Sequence, residues 1–412
     1  MICRSRGVLN IKYDVTVVGA GPAGSTAAKF LSEKGVKVLL IDKSKFPRSK
    51  PCGGGLPIKA LNRFKYVKDK GLIESYSYGG FVHSSSLKYK VELQRNEPIT
   101  AMILRKKFDY ELVKLAIESS SAFIDEKSAK DIKILKDKAR ILLNDGTNVE
   151  SQIVIGADGV WSNIAKKSGL NQSRKNVGIC LFKEYPMSSE TLDRFFGEKR
   201  LCHIHMKLQG IAGYGWVFPK KEHLNIGIYE FKSVVNQSKD KTNISEVYKN
   251  YINILKESKI IPDDLKMGRV NGGALPIFPL EKTYSDRVIL CGDAGGFINP
   301  VSGEGIYYAM SSGEIAARVI TEALESGETN ERFLSMYQKN WKNDFGKDIK
   351  LLLRSAKQWT KETEKFVKLA SRDEKLADMA LGILHGRLSI HDYRWKLIRR
   401  YLYVYFKELF SK

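Results

Sequence analysis

The chain has 412 residues, 43% of them hydrophobic, and carries 69 Lys and Arg against 46 Asp and Glu, a formal net charge of +23. That length accommodates about two to three domains, and the apolar content excludes wholesale disorder. No apolar run reaches the roughly 18 residues of a membrane-crossing helix, and the polar stretch from Met1 to Lys12 is no secretory signal, so the chain reads as cytoplasmic.

Tyr13 to Val18 is a short apolar run and predicts a buried strand. Gly19 to Gly24 is a turn. Ser25 to Lys34 follows helical spacing, with Ala27, Ala28 and Leu31 on one face, and Gly35 ends it. Val36 to Ile41 predicts a second buried strand, closed by Asp42. Strand, glycine turn, helix and strand thus follow one another in the order of a βαβ unit. Phe81 to Leu104 is strand-like. Arg105 to Ser119 predicts a helix, with Phe108, Leu112, Leu115 and Ala116 on one face. Ile132 to Val149 holds a hairpin with Asn144-Asp145-Gly146 as its turn. Gln152 to Ala157 is a buried strand ending in Asp158-Gly159. Residues 176–279 read as sheet-rich. Val288 to Cys291 returns to a strand before Gly292-Asp293. A helical pattern runs from Gly303 to Leu324, and Glu331 to Lys412 reads as several amphipathic helices. The expected fold class is mixed α/β. A Rossmann-like domain spans 1–75, 104–175 and 280–325. An inserted antiparallel-sheet substrate domain spans 76–103 and 176–279, and a C-terminal helical region spans 326–412.

The glycine turn carries chemistry. In Gly19-Ala20-Gly21-Pro22-Ala23-Gly24, the first glycine permits a tight turn. The second lets backbone approach a pyrophosphate, and the third lets helix and strand pack closely. The helix N-terminus offers N–H groups and a positive dipole end to phosphates. Asp42, at the end of the second strand with Lys43 beside it, stands where a carboxylate accepts hydrogen bonds from a ribose diol. These features indicate a dinucleotide without separating FAD from NAD.

Later segments make that separation. Leu104-Arg105-Lys106-Lys107-Phe108-Asp109, Ile155-Gly156-Ala157-Asp158-Gly159 and Gly292-Asp293 resemble, in order and spacing, motifs of the FAD-dependent superfamily that includes p-hydroxybenzoate hydroxylase. The resemblance implies FAD as cofactor, with Arg105, Asp158, Gly159, Gly292 and Asp293 around it. Within that superfamily the chain resembles the geranylgeranyl reductases. Three stretches carry the likeness. They are Lys50-Pro51-Cys52-Gly53-Gly54-Gly55-Leu56; Tyr214-Gly215-Trp216-Val217-Phe218-Pro219-Lys220 with Asn225-Ile226-Gly227-Ile228; and Gly292 to Pro300 running on to Ser302-Gly303-Glu304-Gly305-Ile306. The aromatic stretch differs from the Trp-x-Trp-x-Ile-Pro pair of flavin halogenases. The likeness implies reduction of carbon–carbon double bonds in geranylgeranyl groups of prenyl lipids or prenyl diphosphates. The electron donor stays open among NAD(P)H, ferredoxin and deazaflavin.

The residues support a flavin site in their own terms. Gly303, Gly305 and Ile306 open a helix whose N-terminus suits an anionic reduced flavin, and the flanking glycines let a flat ring pack closely. Tyr214, Trp216 and Phe218 alternate, so a strand turns them to one face. That face is either an aromatic core or the wall of an isoprenoid tunnel. Cys52, in a loop with Gly53 and Gly54, is either an inert thiol or a proton relay facing the flavin. We take Cys52, Tyr214 and Trp216 as catalytic-site candidates.

The remaining cysteines, Cys3, Cys180, Cys202 and Cys291, form no CxxC pair, so neither disulfide nor metal is expected. His203 and His205 share a strand face without a third ligand. Lys220 and Lys221 read as a solvated turn or a phosphate contact. From Glu331 to Lys412 there are 19 Lys or Arg and 10 Asp or Glu, interleaved with Trp341, Trp359, Trp395, Tyr401, Tyr403, Tyr405 and Phe406. That composition suits a packed helical cap and equally a peripheral contact with the inner membrane face. Two other functions are compatible with the sequence. One is a monooxygenase of the same fold; the other is a flavin-containing membrane or RNA-binding protein without turnover. No RNA-recognition or helix-turn-helix motif supports nucleic acid as a partner. Oligomeric state is not legible.

Overall fold

The computed structural model describes residues 12–170, 177–231 and 243–410, without the side chains of 357–361. Cys3 and the Trp359 side chain lie outside the described residues. The fold is mixed α/β, as the patterning predicts, with three sheets and a helical C-terminal region.

The first sheet is eight-stranded. Its parallel centre runs Val288–Leu290, Asn148–Gly156, Tyr13–Val18, Val38–Ile41 and Ala122–Ile124. These strands are apolar on both faces because both are covered, one by helices Pro22–Ser32, Arg105–Glu118 and Ile306–Ser326, the other by strands Ala129–Ile134 and Ala139–Leu143 and the short Asn163–Lys167 helix. Val18 pairs with Ile41 and with Gly156, and Gly156 pairs with Leu290. The strands therefore end in register, and the residues that follow them, Gly19, Asp42, Ala157-Asp158 and Gly292-Asp293, gather along one edge. That carboxyl edge is where open parallel sheets bind ligands. The Ala139–Leu143 and Asn148–Gly156 strands make the expected hairpin, and a second hairpin adds Ala129–Ile134.

The helix after the glycine turn is Pro22–Ser32, earlier than its expected start, because Pro22 itself occupies the first turn. The Arg105–Glu118 helix agrees with its prediction. The helix expected from Gly303 starts at Ile306 and runs to Ser326. Gly303 has φ +68° and Gly305 lies at the N-cap, so the glycine stretch is a turn feeding the helix rather than its first coil.

The second sheet is seven-stranded, in the order Asn271–Pro276, Val177–Pro186, His223–Glu230, Gly213–Pro219, Cys202–Met206, Gly79–His83 and Lys90–Gln94. A small third sheet pairs Gly55–Pro57 and Ser75–Ser77 with Thr100–Met102. Residues 76–103 are thus divided between two sheets. The 176–279 region also carries helices Ser189–Phe196 and Ile244–Glu257. Val247, Tyr248, Tyr251 and Leu255 of the latter pack on one face of the sheet. The other face meets the C-terminal helices Lys347–Ala370, Glu374–Leu384 and Ile390–Phe410. No described helix is long and apolar enough to cross a membrane.

Candidate flavin site

The glycine turn is shaped by contacts no side chain could survive. Gly19 has φ +104°, and a Cβ there would stand 2.2 Å from the Ala157 carbonyl oxygen. A Cβ on Gly24 would lie 1.8 Å from the Gly19 carbonyl oxygen. Around Gly21 there is room, the nearest atom to such a Cβ being Arg48 Nη2 at 3.6 Å. The Pro22–Ser32 helix has no side-chain N-cap, which leaves its N-terminal dipole facing the open side of the turn. Asp42 is buried, and its carboxylate accepts hydrogen bonds from the Ala20 and Ser44 backbone N–H groups, both at 2.8 Å. A cradle closed behind and open in front, with an acid at the next strand end, fits the pyrophosphate and ribose of a dinucleotide.

Next to this cradle is a cavity walled by Pro22, the Lys50–Gly55 loop, the aromatic strand and residues 298–309. Tyr214, Trp216 and Phe218 line it together, with successive ring centroids 6.0 and 6.2 Å apart. Trp216 lies directly across from Gly227 in the antiparallel pair. A Cβ on Gly227 would come within 2.1 Å of the indole, so glycine there lets the ring lie down on the neighbouring strand. The indole N–H donates to Asn225 Oδ1 at 2.6 Å, and Asn225 Nδ2 donates to the Cys52 carbonyl at 3.2 Å. Asn225, fully buried, therefore ties the aromatic strand to the cysteine loop. The Tyr214 hydroxyl donates to the Ser302 carbonyl, tying the same strand to the 302–305 turn.

The charged groups around the cavity are paired. Arg105 is buried and donates to both Asp109 oxygens at 2.7 Å; Arg48 meets Asp109 from the other side at 2.9 Å. Burial opposes the Arg105 charge, but Asp109 and then Cys52 hold its proton well above the usual range. Lys50 Nζ pairs with Asp293 at 3.0 Å. Also on the cavity wall, burial pushes the Glu304 carboxyl up to about 7, with Lys59 pulling against it. Burial pushes the Lys59 ammonium down, with Glu304 pulling it back up. Lys59 Nζ also sits 4.1 Å from the Tyr307 ring centroid.

The structure gathers Pro22, Cys52, Gly53, Gly54, Arg105, Tyr214, Trp216, Asp293, Gly303, Gly305 and Ile306 around one cavity. Gly19, Ala20, Gly21, Ala23, Gly24 and Asp42 form the adjoining cradle. Four expected residues stand apart. Gly292 is buried next to the cavity-lining Asp293, its N–H donating to Ser312 Oγ at 3.0 Å. Lys43 is exposed beyond the strand end. The Asp158 carboxylate accepts from Ser162 Oγ at 2.5 Å and from the Asn163 and Ile164 N–H groups. Asp158-Gly159 thus shapes the turn that backs onto Gly19 and starts the Asn163–Lys167 helix, its acid already engaged.

Lys220 is corrected on both of its readings. It is fully buried, donates to the Ile103 carbonyl at 2.9 Å and pairs with Glu184, so it is neither a solvated turn nor a phosphate contact. His203 and His205 are joined by His83, stacked on His205 at 4.1 Å and bonded to His203 at 3.1 Å. The rings stack rather than converge, and among the described residues no group of His, Cys, Asp and Glu could hold a metal. Cys180, Cys202 and Cys291 are buried free thiols, and Cys52 is half-buried.

Sequence reasoning gave no role to Lys59, Asn225 or Asp109, and Glu304 passed as part of a glycine motif. Asp109 was signalled by its i,i+4 spacing from Arg105. Lys59 had no local signal. Also unforeseen are Leu384, His385 and Gly386, which bring the C-terminal helices to the cavity. Leu384 and Met206 line a second, strongly apolar cavity as well. It lies between the seven-stranded sheet and the C-terminal helices, among Val82, Val91, Phe366, Leu381 and Leu397.

Comparison with known proteins agrees with this geometry. The family model described as FAD binding domain matches residues 12–344. The digeranylgeranylglycerophospholipid reductase of Methanococcus aeolicus is 31% identical over 394 residues, covering 91% of this chain and 94% of the relative. Among solved structures, a geranylgeranyl bacteriochlorophyll reductase-like protein from Thermoplasma acidophilum superposes with a TM-score of 0.77 at 25% identity, over 88% of this chain and 92% of that one. A flavin-dependent brominase superposes with a TM-score of 0.73 at 21% identity, over 98% and 100% of the two chains, and shows that the fold is shared by other chemistries.

Proposed function

We propose a function from the premise that the chain belongs to the FAD binding domain family and is an FAD-dependent oxidoreductase related to the digeranylgeranylglycerophospholipid reductases: it saturates carbon–carbon double bonds of geranylgeranyl groups in prenylated lipids. The observation that carries this reading is that two neighbouring cavities share Met206 and Leu384 in their walls. The glycine-lined cavity on the flavin side and the apolar one beneath the C-terminal helices adjoin there, as a long isoprenoid chain with one reacting bond would require.

The cradle at Gly19–Gly24 and Asp42 would hold the pyrophosphate and ribose, and Asp293 and the 303–306 turn would hold the ring end. When bound and reduced, FAD supplies the hydride. The chain's own residues then have three tasks. Tyr214, Trp216 and Phe218 exclude water and press the alkene against the flavin side, within about 3–3.5 Å of the donor atom. The Asn225 bridge keeps that wall in register with the Cys52 loop. A proton must reach the second alkene carbon, and Cys52 is the group proposed to pass it, from a thiol beside the Arg105 guanidinium.

The test is anaerobic. Dithionite-reduced protein is mixed with a geranylgeranyl lipid, and flavin reoxidation and product mass are followed. Reoxidation with a mass gain of one hydrogen molecule per bond is expected. Absence of reoxidation across several prenyl lipids, or oxygen uptake driven by NAD(P)H and an aromatic substrate instead, would overturn the reading. Cys52→Ala with unchanged reoxidation by substrate would remove the proton role alone.

A further inference from the structure

The helix Ile390–Phe410 buries Ile390, Leu397 and Val404 against the molecule. Its opposite face is not polar. Trp395, Ile398, Leu402, Phe406 and Leu409 follow one another at helical spacing, and all are exposed, Trp395 to 63% and Phe406 to 50%. An apolar stripe of this length along one helix is more than scattered surface hydrophobics. Exposed Lys396 and Arg399, with Lys407 a further two turns on, run beside it. Two residues of the stripe, Ile398 and Leu402, also line the apolar cavity beneath the helix. The exposed face and the buried cavity are therefore two sides of one rim, and the cavity shares Met206 and Leu384 with the wall of the flavin-side cavity.

We propose that the outer face of Ile390–Phe410 docks on the surface of an anionic lipid bilayer, lying in the interface with the cavity mouth against the lipid. An apolar stripe flanked by bases is the composition of an interfacial helix. Anionic headgroups complement the Lys396 and Arg399 side and the +23 charge of the chain. The placement solves a physical problem of the proposed reaction, on which this inference rests for its purpose but not for its test. A prenyl lipid that left the bilayer through water would expose its whole apolar tail; through this rim the tail passes from lipid to cavity without leaving an apolar medium.

The experiment is co-sedimentation of the FAD-loaded protein with vesicles of equal parts phosphatidylglycerol and phosphatidylcholine, and with phosphatidylcholine alone. The protein is expected to sediment with the anionic vesicles and to be released by salt. Trp395→Ser and Phe406→Ser, neither of which lines a cavity, are each expected to weaken binding about tenfold, the worth of one large apolar side chain returned to water. Lys396→Glu with Arg399→Glu is expected to abolish the preference for anionic vesicles. Flavin content and reoxidation by detergent-dispersed substrate are expected to stay unchanged in Trp395→Ser and Phe406→Ser. Wild-type protein that stays in the supernatant overturns the proposal, as do variants that sediment like wild type, or a stable dimer in solution that Phe406→Ser dissociates. Vesicle binding without turnover of any prenyl lipid would sink the reductase reading and leave the docking surface standing.

Discussion

Glu304 and Lys59 both line the cavity that the 303–306 turn borders, and burial, against the pull of Lys59, pushes the Glu304 carboxyl up to about 7. Its carboxyl is neutral below that value and anionic above it. If the 303–306 turn holds the ring end as proposed, an added negative charge there would disfavour an anionic reduced flavin. The midpoint potential of the bound FAD is therefore expected to fall more steeply with pH above 7 than below it. A coupling of one pKa unit, about 1.4 kcal/mol, corresponds to about 30 mV for a two-electron couple. Potentiometric titration from pH 6 to 8 checks this, and Glu304→Gln should remove the break. Two glycine substitutions separate cradle from wall. Gly19→Ala is expected to cut flavin content per purified chain by about tenfold or more, because its Cβ meets backbone that cannot move. In Gly53→Ala the Cβ meets the Phe218 and Trp216 rings at 3.0 and 3.1 Å, which can shift slightly. That variant should keep its flavin, read by absorbance, and lose turnover with the prenyl lipid.

Elements are held in register by groups the sequence presents as ordinary surface. Lys220 follows the aromatic strand, where a pair of lysines normally marks a solvated turn. Buried instead, it clamps the Ile103 carbonyl and Glu184, and so joins the end of the aromatic strand to the residues just before the Arg105–Glu118 helix. Lys220→Ala is expected to lower unfolding free energy by about 3 kcal/mol, the cost of leaving the half-buried Glu184 and the carbonyl of buried Ile103 uncompensated, measured by urea denaturation. The glycine cradle, the Arg105 helix and the strand ends at Asp42 and Asp293 were legible because each depends on neighbours in sequence: a turn, a periodicity, a strand terminus. The small sheet of Gly55–Pro57, Ser75–Ser77 and Thr100–Met102 was not. Its strands are three residues each, too short to show alternation. Nor was the meeting of His83 with His203 and His205, which strand order in the sheet determines, or that of Lys59, on the short Ile58–Arg63 helix, with Glu304, which only tertiary packing determines.

At the scale of the whole molecule, the stacked histidines set a limit on acid stability. Burial, and then the other charges nearby, push His83 down to about 4, His203 to about 3 and His205 to about 2, from an ordinary 6.5. Above 6.5 both folded and unfolded chains hold these rings neutral, so they contribute no pH dependence. Below it the unfolded chain takes up protons that the folded chain refuses, and stability falls as pH drops towards 4. For the two most buried rings, His203 and His205, the loss by pH 5 is about 2 kcal/mol each. Urea unfolding at pH 7, 6 and 5 should show this slope, and His205→Phe should flatten it.

In the proposed reaction Met206 and Leu384, which wall both cavities, would form a neck that also acts as a gauge. A chain that threads two chambers through one narrow place presents its bonds to the reaction one at a time, and the segment already saturated must go somewhere for the next to arrive. In the proposed reaction the apolar cavity under the C-terminal helices would be that somewhere. The number of bonds reduced per visit is then a matter of length, read between the neck and the rim. Met206→Trp, which narrows the passage without touching the flavin cradle, should leave the first reduction intact and shift the products towards partly saturated chains, a change that product mass spectra would resolve where an initial rate would not.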